Sequence, residues 1–301
     1  MRILLTGSNG QLGQAIKFLK PNFFASEELE LITSTRSRLD FLNPQECHSF
    51  VKKLSPDWII NAAAYTNVDG AENNNKEALK VNRDSPDAIS KALLETGGKM
   101  IHISTDFVFD GKNTSLYLPS DDTNPINFYG KSKEQGEKLL ISRLYATNQI
   151  HIIRTSWLMG PIGNNFANNM INLHKNKKDI NVICDQIGCP TSTFSLANFC
   201  WNLIKNYKQI NDLPPILHWS DAGAASWYDV SVAVGEIGLK LGLIKSLANI
   251  NPILSSQYNS IAKRPKFSIL NCQLSEKLFQ IKRLHWKNSL EKIMKEIPIL
   301  D

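Results

Sequence analysis

The chain begins MRILLTGSNGQLG, an apolar run that stops at Gly7 and passes through Gly10 and Gly13 into a stretch with Leu12, Ile16 and Leu19 at helical spacing. A strand that ends in spaced glycines and opens a helix has few folding solutions. One glycine allows the tight turn, one lets backbone approach a pyrophosphate, and one lets the helix pack close to the sheet. The amides at the helix N-terminus, with Asn9, Gln11 and Leu12 between and beside the glycines, then face the phosphates. The spacing is G-x-x-G-x-x-G, looser than G-x-G-x-x-G, and a purely structural turn is the competing reading. Its position after an apolar strand favours a dinucleotide-binding loop.

The rest of the first half repeats strand and helix. Apolar runs at Arg2–Thr6, Leu29–Thr35, Trp58–Asn61, Lys99–Ser104 and Ile150–Thr155 predict strands, and Gln11–Lys20, Pro44–Leu54, Lys76–Glu95 and Lys131–Leu144 predict helices. Asn43 and Pro44 suit the N-cap and first turn of the second helix. Strands that are apolar throughout, not alternating, suit a sheet covered on both faces. The expected fold is α/β, a Rossmann-type doubly wound parallel sheet over residues 1–155. Beyond Ser156 helical stretches dominate (Phe166–Asn176, Ser195–Tyr207, Trp227–Leu241 and Ser289–Glu296, the last with Asn288 as its cap). These predict a smaller, mostly helical lobe over 156–301, with segments near 181–192 and 216–222 returning to the first domain.

Composition excludes rather than selects. There are 34 basic and 28 acidic residues among 301, a mild and dispersed excess. It is compatible with an acidic small molecule and gives no basic block for nucleic acid. The five cysteines form no C-x-x-C pair and predict buried thiols in a reducing compartment, with no metal site. The N-terminal apolar run is too short for a signal sequence, and no stretch nears a membrane span, so the expectation is cytoplasmic.

Two further places carry chemistry. The second strand ends Thr33-Ser34-Thr35-Arg36-Ser37-Arg38, with no carboxylate before Asp40, which favours NADPH through Arg36 or Arg38 and keeps NADH as second candidate. Tyr129 and Lys133 lie four apart at a helix start, on one face. A nearby ammonium would lower the phenol's pKa and make it a usable proton donor. Ser104 and Thr105 end the fourth strand, where a hydroxyl can meet a substrate carbonyl. His102, between two isoleucines, reads as a core histidine.

With these residues in hand, the chain resembles the extended short-chain dehydrogenases/reductases. Longer strings narrow the likeness: Asn61–Asp69 with Ala71-Glu72, Ser104–Gly111, Arg154-Thr155-Ser156-Trp157, Asp185–Ser192 and Arg264-Pro265. Together, from residue 1 to roughly 270, they resemble the dTDP-4-dehydrorhamnose reductase family. That resemblance implies reduction of a 4-keto sugar nucleotide by NADPH, with Tyr129 as proton donor, Lys133 holding the nicotinamide ribose and Thr105 sharing the substrate oxygen. It places Asp40 and Phe41 at the adenine end and Ala62, Ala63 and Tyr65 along the cofactor. It puts Asp106, Phe107, Trp157, Asn164, Asn165 and Arg264 on the sugar nucleotide. Three features depart from the pattern. Ala15 stands where some members carry an acidic metal ligand at a dimer contact, which implies no metal and a monomer or weak homodimer. Phe107 replaces a usual tyrosine. Lys263 precedes Arg264 where two arginines are usual. The alternatives are a reductase of a related 4-keto-6-deoxy sugar nucleotide and a non-catalytic NADP-binding regulatory subunit.

Overall fold

The structure, a computed structural model, describes residues 1–24, 27–210 and 213–297. Six parallel strands form the central sheet: β1 (Arg2–Thr6), β2 (Glu30–Thr33), β3 (Trp58–Asn61), β4 (Lys99–Thr105), β5 (Ile150–Thr155) and β6 (Ile216–His218). Their spatial order is β2-β1-β3-β4-β5-β6. The chain therefore leaves β1 in one direction for β2 and returns on its other side for β3. Such a switch point opens a crevice at the carboxyl ends of β1 and β3.

The continuous apolar character of the strands follows from their two covered faces. Ile3, Leu5, Trp58 and Ile60 pack with α1 (Gln11–Phe18) on one side. Leu4, Ile59, Met100 and Ile152 pack on the other with α2 (Pro44–Leu54), α3 (Ser85–Thr96) and α4 (Phe128–Leu144). Helix α6 (Thr193–Asn206), read from sequence as part of the second lobe, lies under the sheet instead. Its Leu196, Phe199, Cys200 and Leu203 complete the α1 face, and Trp201 donates its indole N–H to the Ile16 carbonyl at 3.1 Å.

The second core joins α5 (Phe166–Asn176), α7 (Trp227–Lys240) and α8 (Trp286–Lys295) through Met170, Val230, Val234, Leu290 and Ile293. Asp179–Ile183 pairs in parallel with Asn249–Ile253 beside it. No helix of the described residues is long and apolar enough to cross a membrane.

Several boundaries differ from the sequence expectation for local reasons. The predicted helix over 76–95 is three pieces: Asn75–Leu79, a π-turn at Lys80–Asp84, and α3. Pro86 has no N–H to give the Asn82 carbonyl, so regular i→i−4 bonding fails there. Helix α4 starts before Lys131 because the Asn127 side chain caps it, accepting from Gly130 N at 2.8 Å. Helix α8 starts at Trp286 because His285, not Asn288, accepts the first free amide, from Lys287 N at 3.3 Å. Helix α6 is capped by Ser192, which accepts from Phe194 N at 3.2 Å.

Candidate active site

The crevice at the carboxyl ends of the strands holds two adjoining cavities. The larger, about 530 Å³, is lined by Asn9, Gly10, Gln11, Leu12 and Gly13 on one side and by Thr105, Asp106, Tyr129 and Lys133 on the other. The smaller, about 260 Å³, is lined by Gly7, Gly10, Arg36, Asp40, Phe41, Ala62, Ala63 and Tyr65. They share Gly10, Ala62 and Ala64, so one trough crosses the glycine loop.

The loop's geometry fits a dinucleotide. Gly7 has φ +64°, and a Cβ there would lie 2.8 Å from the Ala62 carbonyl group and Ala63 N. Gly13 packs so closely on Gly7 and Ser8 that any side chain would strike their backbone. Gly10 is the N-cap of α1 and supplies no side-chain cap, which leaves the first-turn amides free for an anion. The buried hydroxyls of Ser104 and Thr155, both lining the large cavity, have no hydrogen-bond partner among the described residues. Buried polar groups are usually satisfied, so such a pair suits a ligand-binding surface.

At the adenine end, Arg36 lines the smaller cavity, largely exposed, 3.7 Å from Asp40. Arg38 does not reach it: its guanidinium donates to the Thr33 carbonyl at 3.0 Å and lies over the Phe50 ring. Of the two arginines the sequence offered for a 2′-phosphate, the structure leaves Arg36.

At the other end, Tyr129 stands in the first turn of α4 with its ring edge-on to Phe107, centroids 5.8 Å apart. Thr105 lines the same cavity as Tyr129 and is the side chain that favours its phenolate form. The Thr105 hydroxyl also donates to Asp106 Oδ1 at 3.1 Å and accepts from Phe107 N at 3.2 Å. Burial pushes Asp106 up to about 7, against hydrogen bonds from Ser268 and Thr105 that hold it down.

The electrostatics correct one sequence expectation. Burial pushes the Tyr129 phenol up to about 12, with Asp106 adding to the rise and only the Thr105 hydrogen bond opposing it. Lys133 does not lower it. The Lys133 amino group is turned to the strand below, donating to the Ile103 carbonyl at 2.7 Å and lying 3.1 Å from His102 Nε2. Burial brings Lys133 down to about 8, with Glu137 pulling the other way.

The remaining predicted residues divide. Trp157 lines the cavity at φ +43° and stacks on Trp227, centroids 3.5 Å apart. Asn164 and Asn165 line it too, but the polar atoms of the Asn165 side chain are taken: its oxygen caps α5 at Asn168 N, and its amide donates to Gln11 Oε1 at 2.9 Å and to the Gly160 carbonyl at 2.8 Å. Gln11 in turn spends its side chain on this loop, accepting from Gly160 N at 3.1 Å and donating to the Asn164 carbonyl at 3.2 Å. It ties the glycine loop to the second lobe. Arg264 is bound to Asp69 at 2.7 Å and to the Ala262 carbonyl, away from the residues lining either cavity.

Sequence reasoning missed the supports. Asn82, in the π-turn, accepts from Tyr65 N at 2.9 Å and donates to the Tyr65 carbonyl and to Ser132 Oγ, linking the cofactor wall to α4. Glu137 forms a buried ion pair with Arg154 at 2.7 Å that pins α4 to β5. An acidic residue one turn beyond Lys133 was the only sequence signal for it.

Comparison with known proteins agrees with this geometry. The family model described as RmlD substrate binding domain matches residues 1–299. The dTDP-4-dehydrorhamnose reductase of Escherichia coli K12 is 35% identical over 99% of this chain and 98% of its own length. The crystal structure of the reductase of that name from Bacillus anthracis, in complex with NADP, superposes with TM-score 0.87 at 31% identity, covering 98% of this chain and 99% of that one. The Clostridium acetobutylicum reductase structure gives TM-score 0.86 at 34% identity, with 98% of each chain covered.

Proposed function

Because the chain belongs to the dTDP-4-dehydrorhamnose reductase family, we propose that it reduces the 4-keto group of dTDP-4-dehydro-L-rhamnose to give dTDP-L-rhamnose, with NADPH as reductant. The observation that carries this is the convergence of Thr105, Tyr129 and Lys133 with the glycine loop on one cavity. The glycine loop and Arg36, the latter toward a 2′-phosphate, would hold NADPH, which would supply the hydride.

The chain's own residues supply the rest. Reduction puts negative charge on the ketone oxygen, and fixed donors aimed there stabilise it. Thr105 and Tyr129 are those donors. At a pKa near 12 the phenol is fully protonated at neutral pH, the form a reductase needs. Its O–H bond breaks as the new alcohol O–H forms, leaving a phenolate for solvent to reprotonate. Lys133, its amino group anchored on the Ile103 carbonyl of β4, would hold the cofactor ribose. Trp157 and Asn164 bound the sugar-nucleotide end.

Four of the five cysteines are buried and all are free, which supports a reducing cytoplasm as the working compartment. Ala15 is buried in the α1 core, so no carboxylate bridges a metal there, which supports a monomer or weak homodimer.

The test is NADPH oxidation with enzymatically prepared dTDP-4-dehydro-L-rhamnose, with the product identified by NMR. Formation of dTDP-L-rhamnose is expected. Turnover confined to a different 4-keto-6-deoxy sugar nucleotide would overturn the substrate assignment. NADPH binding without oxidation of any such sugar would overturn the reductase reading.

A further inference from the structure

Beneath the cavity floor a chain of buried polar groups leads away from Lys133, and its other members, His102, Asn61 and Thr6, take no part in the reaction above. Lys133 Nζ lies 3.1 Å from His102 Nε2, His102 Nδ1 lies 2.9 Å from Asn61 Nδ2, and Thr6 Oγ1 donates to Asn61 Oδ1 at 2.6 Å. Thr6 Oγ1 accepts from Ala63 N at 3.3 Å, in the segment that walls the cofactor trough. All four side chains are at most 1% exposed, so each polar atom must be matched within the protein.

Matching them allows two arrangements. Burial holds the imidazole neutral, so one ring nitrogen donates and the other accepts. When Lys133 is an ammonium it donates to Nε2. Nδ1 then carries the hydrogen and needs the Asn61 oxygen opposite it. When Lys133 is a neutral amine it accepts from Nε2–H, and Nδ1 accepts from the Asn61 amide, which is the observed orientation. The His102 tautomer and the Asn61 amide are therefore tied to the charge on Lys133.

We propose that His102 is a positioning residue that fixes Lys133 on the cavity floor and, by exchanging tautomers, couples the lysine's charge through Asn61 and Thr6 to the backbone walling the cofactor trough. The inference rests on the reading of Lys133 as the cofactor-holding lysine. The charged group facing Lys133 from its own helix is Glu137, itself paired with Arg154 of β5. Among the described residues the charge that bears on His102 is that of Lys133.

The first experiment is long-range proton–nitrogen NMR on the full chain labelled with 15N-histidine, in the absence of substrate. His102 should stay neutral and convert from Nδ1–H at about pH 6.5 to Nε2–H at about pH 9.5, either side of the lysine's titration. In Lys133→Met it should hold one tautomer at both pH values. One tautomer throughout in the unaltered protein, or an imidazolium signal, would overturn the proposal. The second is NADP binding by calorimetry. His102→Leu should weaken binding about tenfold, the scale of one hydrogen bond to a charged group, and His102→Gln should restore most of it. Unchanged binding in a folded His102→Leu variant would overturn the positioning role. Neither measurement requires turnover, so failure of the substrate assignment would leave both readouts intact.

Discussion

The Arg154–Glu137 pair offers a quantitative test of how the catalytic helix is held. Arg154 Nε lies 3.1 and 3.2 Å from the two Glu137 oxygens and Nη2 lies 2.7 Å from one of them. The side chains are 3% and 2% exposed. Glu137→Gln keeps the shape but leaves a guanidinium buried without its countercharge. Removing one partner of a buried pair costs about 3–5 kcal/mol. Unfolding entropy is about 2.1 cal/mol/K per residue, or roughly 0.6 kcal/mol/K for 301 residues. The melting temperature should therefore fall by about 5–8 °C, read by scanning calorimetry and confirmed by urea unfolding. The double variant Glu137→Leu with Arg154→Met should lose less than Glu137→Gln alone, because no charge is then stranded. Melting of Glu137→Gln within a degree of the unaltered protein would refute the reasoning, as would a double variant that loses the sum of both single changes.

Three other outcomes follow from particular contacts. In Gly188→Ala the new Cβ would sit 2.5–2.7 Å from the Trp157 indole and push it off Trp227; KM for the sugar nucleotide should rise about tenfold with the NADPH Kd unchanged, and an unaltered KM would contradict a substrate role for that ring. Arg36→Ala should weaken NADPH about tenfold and leave NADH untouched, the scale expected for one charge-assisted contact to a phosphate; equal losses for both would remove the 2′-phosphate assignment. Asp106 is raised from 3.8 to about 7 in the fold, so its stability contribution is complete below about pH 4 and is lost as pH rises through 7. Asp106→Asn should therefore flatten the fall in urea-derived unfolding free energy between about pH 5 and pH 8.5, by at most about 3 kcal/mol, and an unchanged slope would contradict the buried carboxyl.

The sheet was legible because its strands obey a simple constraint. A strand buried on both faces carries a consecutive apolar run, and Ile3–Leu5 of β1 and Trp58–Ile60 of β3 are such runs. The glycine loop was legible because Gly7 and Gly13 answer steric demands that no other residue meets. What sequence could not show were contacts made across the fold. The four-residue spacing of Tyr129 and Lys133 puts them on one helix face, but not in contact. Lys133 finds its partners on β4, and burial, not the ammonium, sets the phenol's pKa. His102 is the core histidine its isoleucine neighbours suggested, yet it also touches Lys133. Asn165 could be read as a ligand or a cap, and its three hydrogen bonds make it a cap and a tie to Gln11. The lobe assignment of α6 failed for a similar reason: its apolar stripe says that it packs, but not against which core.

The account turns on Tyr129 as the proton donor, and Tyr129→Phe isolates that role. The change removes one hydroxyl and keeps the ring against Phe107. Single-turnover NADPH oxidation with dTDP-4-dehydro-L-rhamnose should slow by about a hundredfold or more while the NADPH Kd stays within twofold. A variant that reduces the sugar nucleotide at the unaltered rate would contradict the account.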